Sequence, residues 1–216
     1  VYNPNSFPAS QLAEYNGAYF YAENIPPMGW KVIQPVPVRE TVEVSDKRIE
    51  SKYYSITFDD AMNIVSLYDK ENQREVVKNN NPANRLQIYE DYPQEWDNWE
   101  ITDYYQDKMQ TIDDVSNVKV LQGNGFGGFE ITRSYGQSEI IQNIIVYANS
   151  RRIDFKTVAD WHEHHKLLKA SFATTVHTNK ATYDIQFGNV ERATHKNTSW
   201  DQAKFEVCAQ KWGDLS

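Results

Sequence analysis

Arg192, His195, Asn197, Trp200 and Asp201 crowd one short stretch of this chain. Such a mixture can hydrogen-bond a polar ligand or form a polar network that orients a loop. His195, beside Lys196 and near Asp201, has the chemistry of an acid or base, but no activated nucleophile accompanies it. A second stretch, Asp91 to Glu100, sets carboxylates and the tryptophans Trp96 and Trp99 around Pro93. Indole rings stack on the C–H faces of sugars while carboxylates accept from hydroxyls, and paired carboxylates are what glycosidic cleavage requires. A solvated acidic loop anchored by tryptophan has the same composition, and both readings stand.

Other motifs carry less. Trp161-His162-Glu163-His164-His165 has metal-ligating residue types, but zinc needs three or four donors converging from one side. On a strand His162 and His164 share one face while Glu163 and His165 share the other, so strand residues are expected here and no metal site. Gly123, Gly125 and Gly128 have the spacing of a dinucleotide fingerprint, yet Phe129-Glu130-Ile131-Thr132 alternates like a strand where a helix would have to begin. A glycine-rich β-turn is expected instead. Asn197-Thr198-Ser199 is a glycosylation sequon and, without a sign of secretion, is read as incidental.

These patches must be positioned by strands. Tyr54-Ile56-Phe58, Ile64 to Tyr68, Val118-Val120, Phe129-Ile131, Ile140 to Ile145, Ile153-Phe155, Leu168-Ala170-Phe172, Tyr183-Ile185-Phe187 and Phe205-Val207-Ala209 all read as strands. No segment shows a sustained helical period. Asn16-Gly17 marks a hairpin between two aromatic-rich runs, and Pro26-Pro27-Met28-Gly29, Asp69-Lys70-Glu71-Asn72 and Asn79-Asn80-Asn81-Pro82 mark turns or loops. The expected fold is all-β, a sandwich or super-sandwich over residues 41–216, preceded by the end of a small β domain or linker over 1–40.

Composition bounds the partners. In 216 residues, 40% hydrophobic and 24% charged content suits a globular domain with a core, and a net charge of −8 argues against nucleic acid. The single cysteine, Cys208, excludes an internal disulfide framework and is expected as a packed thiol. The lack of disulfides leans toward a reducing compartment. No apolar run reaches membrane-span length, and the first residues do not form a signal peptide.

From Thr41 onward the chain resembles the C-terminal β region of glycoside hydrolase family 38, the α-mannosidases of bacteria and of the cytosolic eukaryotic branch. The resemblance rests on Tyr68-Asp69-Lys70 with Arg74-Glu75-Val76, on Asn84-Arg85-Leu86 through Trp99, and on Asp154 through Glu163 with Lys166-Leu167-Leu168-Lys169. It continues from Tyr183 to Leu215, where the run from Glu191 to Val207 is the most specific. Ala193 departs from the family pattern, which has proline there.

This resemblance implies a galactose-mutarotase-like super-sandwich belonging to a retaining exo-α-mannosidase that acts on mannose-containing oligosaccharides. It implies that zinc, the nucleophile and the acid/base carboxylate lie on an N-terminal domain absent here, so that this chain is an interior fragment, inactive alone, with no catalytic or metal residue of its own. The expected partners are its own catalytic and further C-terminal domains, with self-association and a cytoplasmic location also expected. Substrate-rim contacts are expected from Asp91, Trp96, Asp97 and Trp99 in one loop and from Arg192, His195, Asn197 and Trp200 in the other. Asp201 is assigned to loop structure. The alternatives are a stand-alone carbohydrate-binding module or a purely structural β-sandwich.

Overall fold

A computed structural model describes residues 1–16, 18–34, 40–96 and 99–216. At the N-terminus Tyr2–Asn3 (β1), Ala9–Tyr15 (β2), Ala18–Ile25 (β3) and Gly29–Trp30 (β4) form two nested antiparallel pairs, β1 with β4 and β2 with β3. The register Tyr15↔Ala18 is that of the hairpin the sequence announces, although Gly17 itself lies outside the described residues. Phe20, Ala22 and Ile25 make a small core of their own, with Ala13 and Ile33 against it.

Glu43–Ser45 (β5), Arg48–Glu50 (β6), Tyr54–Phe58 (β7), Ile64–Asp69 (β8) and Arg74–Glu75 (β9) follow as an antiparallel meander. Arg85–Glu90 (β10) and Met109–Thr111 (β11) start a second sheet. Val115–Gly123 (β12), Phe126–Tyr135 (β13), Ser138–Tyr147 (β14) and Ile153–Asp160 (β15) form a second meander, and Lys166–Ser171 (β16) returns to complete the sheet β11-β10-β16. Lys180–Ile185 (β17), Gly188–Ala193 (β18), the single helical turn Ser199–Ala203 (α1) and Gly213–Asp214 (β19) close the chain, with β17 between β18 and β19.

The chain is all-β as expected, and its main core lies between the two meanders. Ile49, Ile56, Phe58 and Ile64 from one meet Phe129, Ile131, Ile144 and Val146 from the other. Alternation does this work: in β7, Ile56 and Phe58 are buried while Ser55 and Thr57 are not. A second core, formed by Leu86 and Ile88 of β10 with Ile112 and Ile140, joins the sheet β11-β10-β16 to the other end of β14. Arg133 is fully buried in β13, and its guanidinium donates at 3.0 Å to the carbonyls of Ala61 and Met62, gripping the turn between β7 and β8. Among the described residues no helix is long and apolar enough to cross a membrane.

The glycine triplet is indeed a strand-connecting turn, with Gly125 at φ 81° between β12 and β13. Gly128 is required for another reason. A Cβ there would lie 1.8 Å from the Ile144 carbonyl oxygen of the neighbouring strand.

Three sequence expectations are corrected. Phe205-Val207-Ala209 is not a strand: Phe205 and Val207 are half-buried and Cys208 exposed, so the alternation is real, but the segment makes no strand pairing. Cys208 is consequently not packed. Trp161 to His165 lies past the end of β15, where Glu163 turns back to accept from Gln137 N at 2.8 Å and Ser138 Oγ at 2.9 Å, so the pentapeptide leaves the sheet.

Gly128→Ala should lower Tm by something on the order of 5–10 °C, since a backbone atom has to move to admit the methyl. Gly188→Ala, where an added Cβ meets nothing within 4 Å, should leave Tm within a degree or two by calorimetry.

Candidate functional site

The stretch from Arg192 to Asp201 is shaped by a helix start. Thr198 is the N-cap of α1, with φ −125° and ψ 163°; its hydroxyl accepts from Asp201 N at 3.2 Å, and the Asp201 carboxylate accepts from Thr198 N at 3.1 Å. This reciprocal capping box fixes the chain direction between β18 and α1. Hydrogen bonding from the Thr198 hydroxyl, which outweighs the opposing effect of burial, holds the Asp201 carboxyl below the usual carboxylate range. Asp201 is a structural residue, as expected.

Behind the loop lies a cavity of about 530 Å³. Its walls include Tyr183 from β17, Arg192 from β18, His195 and Lys196 from the loop, and Lys204 and Phe205 from the segment after α1. His195 Nδ1 stands 3.6 Å from Asp201 Oδ2, and the Nε of Arg192 is shut off from solvent without a hydrogen-bond partner. Thr194 also lines the cavity, but its hydroxyl donates to the carbonyl of Thr178. Asp201 is held as a carboxylate, opposite to the raised pKa a general acid requires.

Not every expected rim residue meets here. Arg192 and His195 line the cavity; Asn197 and Trp200 do not, and Trp200 is largely exposed. Asp91, Trp96 and Trp99 lie in the loop leaving β10 and take no part in it. Asp91 N donates to His165 O at 2.9 Å, where Tyr92 stacks on the His165 ring, and Trp99 N closes a turn on Trp96 O at 2.9 Å. The Trp96 and Trp99 side chains project into solvent, 72% and 90% exposed, while Asp97 lies outside the described residues.

A knot of side chains ties the two regions together. Tyr105, buried in the 3₁₀ turn Asp103–Lys108 that follows the tryptophan loop, donates its hydroxyl proton to Glu206, and the Lys169 ammonium bonds to both. The ammonium lies 5.0 Å from the Tyr105 ring centre and 5.9 Å from that of Tyr89, and the two rings meet edge-on at 5.0 Å. Burial works against both charges, yet the mutual hydrogen bond prevails, so the Glu206 carboxyl is lowered and the Lys169 ammonium raised. The knot seats the segment whose Phe205 forms a cavity wall. Sequence reading missed it because its members are far apart along the chain; Lys169 and Glu206 fall in segments singled out there, but nothing in the sequence pairs them with each other or with Tyr105.

Among the described residues no group of three or more His, Cys, Asp or Glu converges to hold a metal. His162 Nε2 pairs with Asp160, at 3.1 Å.

A profile of the glycosyl hydrolases family 38 C-terminal domain matches residues 49–216. The chain is 35% identical to alpha-mannosidase G of Dictyostelium discoideum over 94% of its length, and 30% identical to human alpha-mannosidase 2C1 over 91%. These alignments span 21% and 19% of those proteins, so the chain covers about a fifth of the curated relatives it matches. The fold is similar to that of an alpha-mannosidase from Enterococcus faecalis V583, with TM-score 0.55 over 85% of this chain and 23% of that one, at 10% identity.

Glu206 contributes stability fully present above the ordinary carboxyl value of 4.5 and lost as pH falls through its lowered folded pKa. Lys169 contributes stability present below the ordinary lysine value of 10.5 and lost as pH rises through its raised one. Glu206→Gln should therefore cost about 1 kcal/mol at neutral pH, after allowance for solvent screening, and make the acid-side fall of Tm shallower. An unchanged Tm–pH curve would show that the pair does not hold this segment.

Proposed function

Because this chain belongs to glycosyl hydrolases family 38 through its C-terminal domain, we propose that it is the β region of a longer α-mannosidase. On this reading the parent protein is a retaining exo-enzyme that removes terminal α-mannosides from oligosaccharides in the cytoplasm, with zinc and the reacting carboxylates on its other domains. This region supports the active site and carries none of the chemistry. The observation that carries the reading is the match over residues 49–216, together with relatives named alpha-mannosidase at 30–35% identity. Residues 1–40 would be the end of a preceding small β domain, a division supported by the separate core of Phe20, Ala22 and Ile25.

The supporting role is consistent with what the loops offer. Arg192 and His195 sit on a cavity wall, and Trp96 and Trp99 present bare indole faces of the kind that stack on sugars. With Asp91, Asp97, Asn197 and Trp200 they are the proposed contacts at the substrate rim or at the catalytic domain.

The 216-residue chain should show no turnover of an aryl α-mannoside with zinc present, whereas the full-length parent should show zinc-dependent turnover. Turnover by the chain alone would sink the supporting role, and an inert parent would sink the mannosidase reading. The exposure of Trp96 and Trp99 also favours a second reading, mannoside binding by the isolated chain. Titration with mannobiose should then give binding that Trp96→Ala weakens about tenfold, and a flat titration discards it.

A further inference from the structure

The cavity beneath α1 carries more positive charge than its surroundings neutralise. Arg192, Lys196 and Lys204 line it together with two carboxylates, Glu191 and Asp201, and both carboxylates are already engaged. Glu191 is paired with Lys180 at 2.6 Å, and Asp201 serves the Thr198 cap and faces His195. Lys196 acts on the Glu206 carboxylate and Lys204 on that of Asp201 only through the field, without a contact ion pair or hydrogen bond among the described residues, and the Nε of Arg192 is covered but unpartnered. In a chain of net charge −8, three cations without a contact ion pair on one concavity form a local reversal of sign.

We propose that this cavity binds a hexose-sized ligand bearing an oxyanion, a phosphate monoester or a uronate carboxylate. A guanidinium and two ammonium groups supply charge-assisted hydrogen bonds to such a group, the strongest non-metal contacts a protein offers. The apolar parts of the wall, Tyr183, Val190, Phe205 and Val207, reduce solvent screening and strengthen that attraction. The volume, about 530 Å³, is that of a small-molecule site and far exceeds what a bare phosphate fills, leaving room for a sugar ring against Tyr183 and Phe205. The inference does not depend on the mannosidase reading, since it rests on the charge and shape of this chain alone and is tested by binding rather than turnover.

The test is calorimetric titration of the 216-residue chain with mannose 6-phosphate, mannuronate, mannose and inorganic phosphate. Binding of either anionic sugar at least tenfold tighter than mannose and than inorganic phosphate supports the proposal, and the stronger of the two identifies the anion. Equal affinity for neutral mannose, equal affinity for inorganic phosphate, or no binding of either anionic sugar overturns it. The double variant Lys196→Met with Lys204→Met alters two exposed side chains and should keep the Tm of the parent chain. It should weaken the anionic sugar about tenfold or more and flatten the dependence of affinity on salt. Unchanged affinity in that folded variant would place the ligand elsewhere and overturn the assignment to this cavity.

Discussion

One face of β14 holds this structure together. Ile140, Gln142, Ile144 and Val146 succeed one another along it, all buried, and each end serves a different core. Ile144 and Val146 close the core between the two meanders; Ile140 closes the one beneath β10 and β16. Between them Gln142 bonds to Asn84 in both directions, at 2.7 and 3.2 Å, and donates to Thr157 at 3.0 Å. A buried amide left unbonded would cost ~1–3 kcal/mol, so this polar crossing fixes how the sheet beginning at Arg85 sits on the strand it crosses. The absence of a side chain at Gly128 belongs to the same constraint, because β13 lies against β14 so closely that a methyl would strike the Ile144 carbonyl.

The placement of the functional loops follows. The tryptophan loop leaves β10, and the cavity is built on β17 and β18 with the segment after α1. They are tied through the Tyr105–Phe205 ring contact and through Tyr105, Lys169 and Glu206, where two charges are kept partly from water by aromatic rings and by each other. Such a pair adds little net stability, but removing one partner leaves the other charge half-buried. Its value is therefore geometric: it decides where Phe205 stands and, with it, the shape of one cavity wall.

Much of the fold was legible because its period is simple. Tyr54 to Phe58, Ile64 to Tyr68 and Ile140 to Ile145 alternate or run apolar as buried strands must, and the glycine, asparagine and Asp-Lys turns fall where the strands end. Alternation misled at Phe205-Val207-Ala209, where the burial pattern is right but no strand pairs alongside. It misled again at Trp161 to His165, where Glu163 is drawn to the turn between β13 and β14. Of the rim residues read from sequence, Arg192 and His195 share the cavity with Lys196, Lys204, Tyr183 and Phe205. Tyr183 and Phe205 had looked like strand core, because a side chain facing a cavity and one facing a core are patterned alike.

The sequence by itself determined the all-β class, the principal strands and most turns, the role of Asp201 and the family, since these depend on local period, capping chemistry and a long specific run of residues. The tertiary structure alone decided which charged groups are already paired and which are not. Glu191, Asp201 and Glu206 balance Arg192, Lys196 and Lys204 in a count of charges, but in space they are bound to Lys180, to the Thr198 cap and to Lys169. Charge can be counted along a chain, whereas its neutralisation depends on distances of a few ångströms between residues that folding brings together.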